Sequence, residues 1–272
     1  MTPPTAGNTA ASGGRPSGRV LPCRGFECGP GTRRVSDATA PTGTLYLVAT
    51  PIGNLEDITH RAVRILSEVD LVAAEDTRRT RRLLDHYGVS VPVTSLFEHN
   101  ERSRVPGLVR KLQEGRSIAL VTDAGSPGVA DPGFPLVRAA VAAGLRVESI
   151  PGPSAAIAAL QVSGLPTDAF TFVGFLPAKP GARRRRLEEL SERRETLVAF
   201  ESPHRIGACL ADLESIWGER PIALARELTK TFEEVLRGTA REVRAALTPE
   251  RRRGEMVLVL GGRLRGESRP AT

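Results

Sequence analysis

Cysteine, aromatic side chains, lysine and long apolar runs are all scarce in this chain, and each shortage excludes something. Three cysteines in 272 residues, Cys23, Cys28 and Cys209, are too few and too unevenly spaced for a disulfide framework or a four-ligand zinc site. A reduced, cytoplasmic setting without a metal centre is therefore expected. No apolar run approaches the roughly 18 residues of a membrane span, and the N-terminus lacks the apolar stretch of a secretory signal. With aromatics at 4% the core must be aliphatic, which suits buried parallel strands. The sequence also contains no G-x-x-x-x-G-K-[ST], no G-x-G-x-x-G after a strand, no H-E-x-x-H and no nucleophile elbow. Those absences argue against a Walker-type triphosphate cradle, an ordinary dinucleotide fold, a zincin and an α/β-hydrolase.

What the chain does have is arginine. The formal charge is +7 and the pI about 10.1, although Lys111, Lys179 and Lys230 are its only lysines. Such a balance favours a polyanionic partner, nucleic acid above all, with the reservation that an Arg- and Ala-heavy composition can also reflect coding bias. Two dense runs, Arg78-Arg79-Thr80-Arg81-Arg82 and Arg183 to Arg186, present guanidinium forks that match phosphate oxygens; a solvated helix face is the plainer explanation of each.

Residues 1–42 are rich in Pro, Gly, Thr, Ser and Ala without hydrophobic period, and are expected to be a disordered extension, as is the tail 265–272. From Gly43 onward, short apolar runs alternate with amphipathic stretches, the sequence form of repeated βα units. The expected class is α/β, with domains over 43–153 and 154–264 and a ligand site in the cleft between them. Strands are predicted at 44–50, 70–74, 118–121, 146–150, 170–175, 196–201, 221–226 and 256–260. Helices are predicted after Thr59, through Leu83 and Leu84, and over 103–114, 131–143, 183–194, 204–217 and 240–247. The fourth of these has Asp131 as N-cap and Pro132 as first residue.

Four strands run into loops of Gly, Pro and small polar residues: Ala49 to Asn54, Asp123 to Gly133, Pro151 to Ala156 and Phe175 to Pro177. Loops at the carboxyl ends of parallel strands converge on one face, so together they outline one crevice. Ser154, opening an Ala-rich helix, can offer a hydroxyl and free N–H groups to an anion. Glu201 and His204, in Glu201-Ser-Pro-His204, sit where catalytic groups sit, with Glu75, Asp76 and Lys230 as competitors for proton transfer. The ordinary readings of these groups are helix caps and ion pairs.

Seven segments taken in order, among them Val48-Ala-Thr-Pro-Ile-Gly-Asn-Leu-Glu-Asp-Ile-Thr59, Ala74-Glu-Asp-Thr-Arg78, Asp123-Ala-Gly-Ser-Pro-Gly-Val-Ala-Asp-Pro-Gly133, Pro151-Gly-Pro-Ser-Ala155 and Arg226-Glu-Leu-Thr-Lys230, closely resemble the bacterial small-subunit rRNA (cytidine-2′-O)-methyltransferases of the tetrapyrrole methylase superfamily. The resemblance spans residues 43 to 262. It implies two α/β domains with S-adenosylmethionine (S-adenosyl-L-methionine) in the interdomain cleft, a homodimer, and methyl transfer to the ribose 2′-hydroxyl of a cytidine in the decoding region of small-subunit rRNA. Matched position by position, it implies cofactor contacts at Pro51, Gly125, Ser126, Pro127, Ala130, Ser154 and Ala155. Porphyrinogen methylases of the superfamily carry Gly-Asp-Pro where this chain has Gly125-Ser-Pro127, a departure toward the RNA branch. Some relatives continue into a small helical tail, whose RNA contacts the two Arg runs are expected to replace. A methylase of tetrapyrroles or other small molecules, and a catalytically silent RNA-binding protein, are the alternatives.

Overall fold

The computed structural model of the chain describes residues 42–263. The expected tail, the expected N-terminal extension up to residue 41, Cys23 and Cys28 lie outside them. Among the described residues no helix is long and apolar enough to cross a membrane.

The first sheet is wholly parallel, in the order β3-β2-β4-β1-β5: β1 Thr44–Val48, β2 Leu71–Ala74, β3 Val93–Ser95, β4 Ile118–Val121 and β5 Arg146–Ile150. All four residues of β4 are buried because helices cover both faces of the sheet. On one face α1 (His60–Glu68) and α2 (Thr77–His86) pack Ala62, Ile65, Leu66 and Leu84 against Ala119 and Val121. On the other, α3 (Glu101–Gln113) and α4 (Phe134–Ala142) bring Leu108, Leu112 and Leu136 onto Ile118 and Leu120. The two-residue period of a strand thus feeds two separate cores. Helix α1 starts where the sequence indicates, Thr59 accepting the Ala62 N–H at 3.1 Å.

The second sheet runs β6-β7-β10-β8-β9: β6 Phe170–Phe175, β7 Thr196–Glu201, β8 Pro221–Arg226, β9 Glu234–Thr239 and β10 Met256–Leu260. Only β6 and β7 are parallel, whereas the pairs β7/β10, β10/β8 and β8/β9 are antiparallel. The expectation of parallel βα units therefore holds for the first sheet and fails for most of the second, since an apolar run buried on both faces looks alike in either direction. Helix α5 (Ala155–Ser163) alone covers one face, with Ala159 and Leu160 against Val198 and Val257; α6 (Pro180–Ser191), α7 (Ile206–Trp217) and α8 (Ala240–Ala246) cover the other. Trp217 closes this core by donating its indole N–H to the Gly261 carbonyl at 2.9 Å.

Helix α4 begins at Phe134 rather than Asp131, with Gly133 at its N-cap and no side-chain capping bond. The chain passes through positive φ at Ala130 (62°) and Gly133 (127°), which keeps Asp131 and Pro132 out of the helix. The Gly133 N–H instead reaches the buried Glu101 carboxylate at 2.7 Å. A Cβ at Gly133 would lie 2.6 Å from Leu120 Cδ2, while one at Gly88, φ 63°, meets nothing within 4 Å. Gly133→Ala is expected to cost about 3 kcal/mol or more, from backbone strain plus displacement of a core leucine, and Gly88→Ala about 1 kcal/mol from strain alone. Paired urea melts check both values.

Candidate active site

Strands β1 and β4 are neighbours, yet the chain leaves them in opposite directions, β1 through α1 to β2 and β4 through α4 to β5. Such a reversal opens a crevice at the carboxyl ends of the two strands. Here it is bridged by backbone: the Thr50 N–H donates to the Gly125 carbonyl at 2.9 Å and the Gly125 N–H to the Thr50 carbonyl at 3.0 Å. The Thr50 hydroxyl adds a bond to the Thr122 carbonyl at 3.1 Å. Beyond the bridge, Ile52 is buried in the core beneath α5, and a Cβ on Gly53 would lie 2.5 Å from Lys230 Cγ. The first loop therefore seats on the second sheet.

A cavity of about 620 Å³ opens between the two sheets. One wall is Ile52, Ala124, Gly125, Ser126, Val129 and Asp131. The start of α5, Ser154 to Ala156, forms the floor. Opposite lie Phe175, Phe200 to Pro203, Glu227, Lys230 and Gly254 to Val257, all at the edge where β6, β7 and β8 end and β10 begins. Ser154 is the α5 N-cap but its hydroxyl makes no capping bond, which leaves it and the first N–H groups of the helix available to a ligand. On the other side of the Thr50–Gly125 bridge, a cavity of about 260 Å³ is lined by Pro51, Arg79, Arg82, Thr122 and Asp123 among others.

Of the residues singled out from the sequence, Gly125, Ser126, Ser154, Ala155, Glu201 and Lys230 meet around the large cavity. Pro51 lines the small one. Pro127, Ala130 and His204 line neither; His204 is exposed, and its backbone N–H donates to the Ser202 hydroxyl at 3.3 Å. Glu201 is buried, and one carboxylate oxygen accepts from Arg205 Nε at 2.9 Å, Arg205 Nη2 at 2.8 Å and the Ser202 N–H at 2.7 Å. Asp76 caps α2, and Glu75 accepts the Asp123 N–H at 3.4 Å. Arg183 is no surface grip: it is 3% exposed and forms a two-pronged pair with Asp212 at 2.7 and 2.8 Å.

Two residues not named among the candidate site residues, Asp131 and Glu227, stand out beside Lys230, which is. Asp131 reads as a helix cap from its Asp-Pro pair but faces the cavity instead. Burial and the nearby Glu75 carboxylate push its carboxyl up to about 6, the Thr122 hydroxyl working the other way and Asp123 adding to the rise. Glu227 lies at φ 50°, and its carboxylate occupies the space a Cβ on Gly254 would take. Burial raises the Glu227 carboxyl, but the Glu255 N–H and the Lys230 ammonium outweigh it and hold the group below its ordinary range. Lys230 spans Glu227 at 2.9 Å and Glu255 at 3.1 Å; burial works against its charge, yet these carboxylates keep the ammonium raised above its usual value. Among the described residues no cluster of three or more His, Cys, Asp or Glu side chains is placed to hold a metal ion.

Removing one member of a buried pair leaves its partner uncompensated, so Glu201→Ala is expected to cost about 3–5 kcal/mol, read as a lower urea midpoint. An unchanged midpoint would show that Arg205 is solvated without it.

The model of the Tetrapyrrole (Corrin/Porphyrin) Methylases matches residues 44–244. The chain is 53% identical to the ribosomal RNA small subunit methyltransferase I of Xylella fastidiosa, over 81% of this chain and 82% of that protein. It is 50% identical to the protein of the same name from Pasteurella multocida, over 84% and 82%. Among solved structures, uroporphyrin-III C-methyl transferase from Thermus thermophilus, complexed with S-adenyl homocysteine, has the same fold. That match has a TM-score of 0.55 and 20% identity, over 80% of this chain and 97% of the other. The switch-point crevice, the glycine-rich loops around it and half-identity over four-fifths of the length lead to one placement: the chain belongs to the tetrapyrrole methylase family, within its ribosomal RNA small subunit methyltransferase I group.

Proposed function

We propose that this chain transfers the methyl group of S-adenosylmethionine to the ribose 2′-hydroxyl of a cytidine in the decoding region of small-subunit rRNA. The observation that carries this reading is the cavity between the sheets, in a chain about half identical over four-fifths of its length to relatives named as small-subunit rRNA methyltransferases. Its volume of about 620 Å³ lies within the usual range for small-molecule sites. The donor set also suits the cofactor. The unused Ser154 hydroxyl and the N–H groups of Ala155 and Ala156 would hold its carboxylate, Gly125 and Ser126 would meet it through backbone, and Ile52, Val129 and Phe200 would cover its apolar parts.

When bound, the sulfonium supplies an electrophilic methyl group. The residues around it then have three tasks. The Thr50–Gly125 bridge and the α5 N-terminus fix the approach line, because in-line displacement gains most from holding its reactants in place. Phe175 and Phe200, packed edge to face at 5.5 Å, exclude water from one end of the cavity. The Asp131 carboxylate, which has no cationic partner among the described residues, favours a cation beside it.

The polymer side of the reading rests on α2. Arg78, Arg79, Arg81 and Arg82 are all exposed there, and Arg79 and Arg82 border the small cavity beside the bridge. Arg79 pairs with Asp123 at 3.1 Å and Arg78 with Asp76 at 3.4 Å, while Arg81 and Arg82 carry no ion pair among the described residues. The same reading takes the two sheets as two domains dividing near residue 153, the assembled subunit as substrate, the cytoplasm as location and a homodimer as the working unit. The outward apolar side chains Phe134 and Val141, seven residues apart on α4 and each 63% exposed, support an interface between copies.

The test is transfer of labelled methyl from S-adenosylmethionine to small subunits lacking the modification, with naked rRNA and a porphyrinogen in parallel. A 2′-O-methylcytidine mapped to the decoding region is the expected product; label in the porphyrinogen alone would overturn the RNA reading. Replacing Arg81 and Arg82 together by Ala is expected to weaken subunit binding and to flatten its log–log salt dependence by about two, while cofactor affinity stays unchanged in calorimetry.

A further inference from the structure

We propose that the small cavity beside the Thr50–Gly125 bridge takes the base of the nucleotide 3′ to the target cytidine, with Arg82 on the phosphate between them. The assignment rests on the methyl-transfer reading of the large cavity. The two cavities share a wall. Pro51, Gly53 and Asp123 line the small one, while Ile52 and Ala124, next to them along the same two loops, line the large one. The two linings thus meet within one residue step, about 3.8 Å from Cα to Cα. On a ribose, the 2′-hydroxyl and the 3′-phosphodiester leave adjacent carbons. A strand that offers the hydroxyl to a methyl group in the large cavity therefore carries its next phosphate one sugar carbon away.

Charge decides which cavity that phosphate meets. Among the described residues Lys230 is the cation in the lining of the large cavity, and Glu227 and Glu255 already hold it at 2.9 and 3.1 Å. In the small cavity Arg79 is paired with Asp123 at 3.1 Å, and the other Asp123 oxygen accepts the Asp76 N–H at 3.1 Å. Arg82 has no ion pair among the described residues, so two arginines against one aspartate leave one uncommitted guanidinium. Its fork donates to two phosphate oxygens at once.

The rest of the lining suits a base. Pro51, Leu55 and Leu83 are apolar, and Thr80 adds a hydroxyl. Leu55 is 41% exposed, yet its backbone is fixed ahead of any ligand. Asn54 caps the short helical turn Leu55–Asp57 by accepting the Glu56 N–H at 3.1 Å, and the Tyr87 hydroxyl donates to the Leu55 carbonyl. At about 260 Å³ the space falls just below the roughly 300–1,000 Å³ of sites for whole small molecules. It fits one planar ring of a larger ligand, and bases splayed from an unpaired strand are what RNA offers to such pockets.

The experiment measures methyl transfer to small subunits reconstituted with rRNA that is intact, or that lacks the base immediately 3′ or immediately 5′ to the target. Wild type is compared with Leu83→Trp, which fills the cavity, and Leu55→Ala, which removes an exposed face of it; S-adenosylmethionine binding is followed by calorimetry. On intact subunits Leu83→Trp is expected to raise KM about tenfold and Leu55→Ala about threefold, with kcat and cofactor affinity within about twofold of wild type. Wild type should lose about tenfold on subunits lacking the 3′ base and keep its rate on those lacking the 5′ base. A variant acting on subunits without the 3′ base should lose no more than the larger single effect, since both changes remove one contact. A mere change in α2 packing would instead multiply the two losses. Leu55→Ala, at an exposed position, gives the same reading if Leu83→Trp folds poorly. Multiplied losses, dependence on the 5′ base, or an unchanged KM in both variants overturns the assignment and leaves methyl transfer standing. If wild type methylates no intact subunit, the methyl-transfer reading fails and the assignment falls with it.

Discussion

Two reciprocal backbone hydrogen bonds between Thr50 and Gly125 hold the molecule's working parts in register. They join the loops leaving β1 and β4 at the one place where the first sheet changes direction, and every wall of the large cavity is referred to them. Ile52, two residues beyond the bridge, enters the core under α5 and ties the first sheet's loop to the second sheet. Ala124 and Gly125 face the cavity on one side, while Thr50, Thr122 and Asp123 face the smaller, arginine-rimmed hollow on the other. Because the bonds are between main-chain groups, no side-chain substitution removes them directly; the bridge is lost only through a change in backbone path. Gly125, at φ 79°, is where that path is set.

Charge is arranged around this ridge with economy. Most carboxylates at the crevice have a cationic partner: Asp76 has Arg78, Asp123 has Arg79, Glu201 has Arg205, and Glu227 and Glu255 share Lys230. Exposed members of this set contribute little to stability by themselves, as solvent screens them. Their effect is to fix which groups are already satisfied before any ligand arrives. Unpaired charge is what remains to recognise one, negative at Asp131 inside the cavity and positive at Arg81 and Arg82 outside it.

Much of this was legible in the sequence, and what was not has identifiable causes. Strands β6, β7, β8 and β10 fall where their apolar runs place them, and Thr59 caps α1 as its position indicates. The three residues of β3 and the Glu234-Val-Leu-Arg-Gly-Thr239 of β9 escape notice because both lie at sheet edges, half-buried, without a clean alternation. The loops announce themselves by their Gly and Pro content, with Gly125, Gly128 and Gly133 at positive φ, so the segments that hold Gly125, Ser126, Ser154 and Ala155 could be brought to one crevice in advance, while their cofactor contacts were implied only by the resemblance. Pairings between distant residues leave no local trace. Arg183 looks like one of four surface arginines until Asp212, twenty-nine residues away, is seen to bury it. Asp131 was misread for the opposite reason, a strong local signal overridden by the loop's own backbone.

Among the described residues, the three without a glycine's freedom that nevertheless adopt positive φ are Ala130, Glu227 and Thr229. Ala130 adjoins Asp131 on one wall of the cavity, and Glu227 and Thr229 belong to the loop that forms the other. Each stores on the order of 1–3 kcal/mol that a glycine would release. The folded state thus concentrates its unfavourable backbone energy at the rim of a single cleft, against a total stability that for a domain of ordinary size is only about 5–15 kcal/mol. Thermal robustness and the shape of the cleft are for that reason in competition: the substitutions that relax this chain most readily are those that would let its two walls drift.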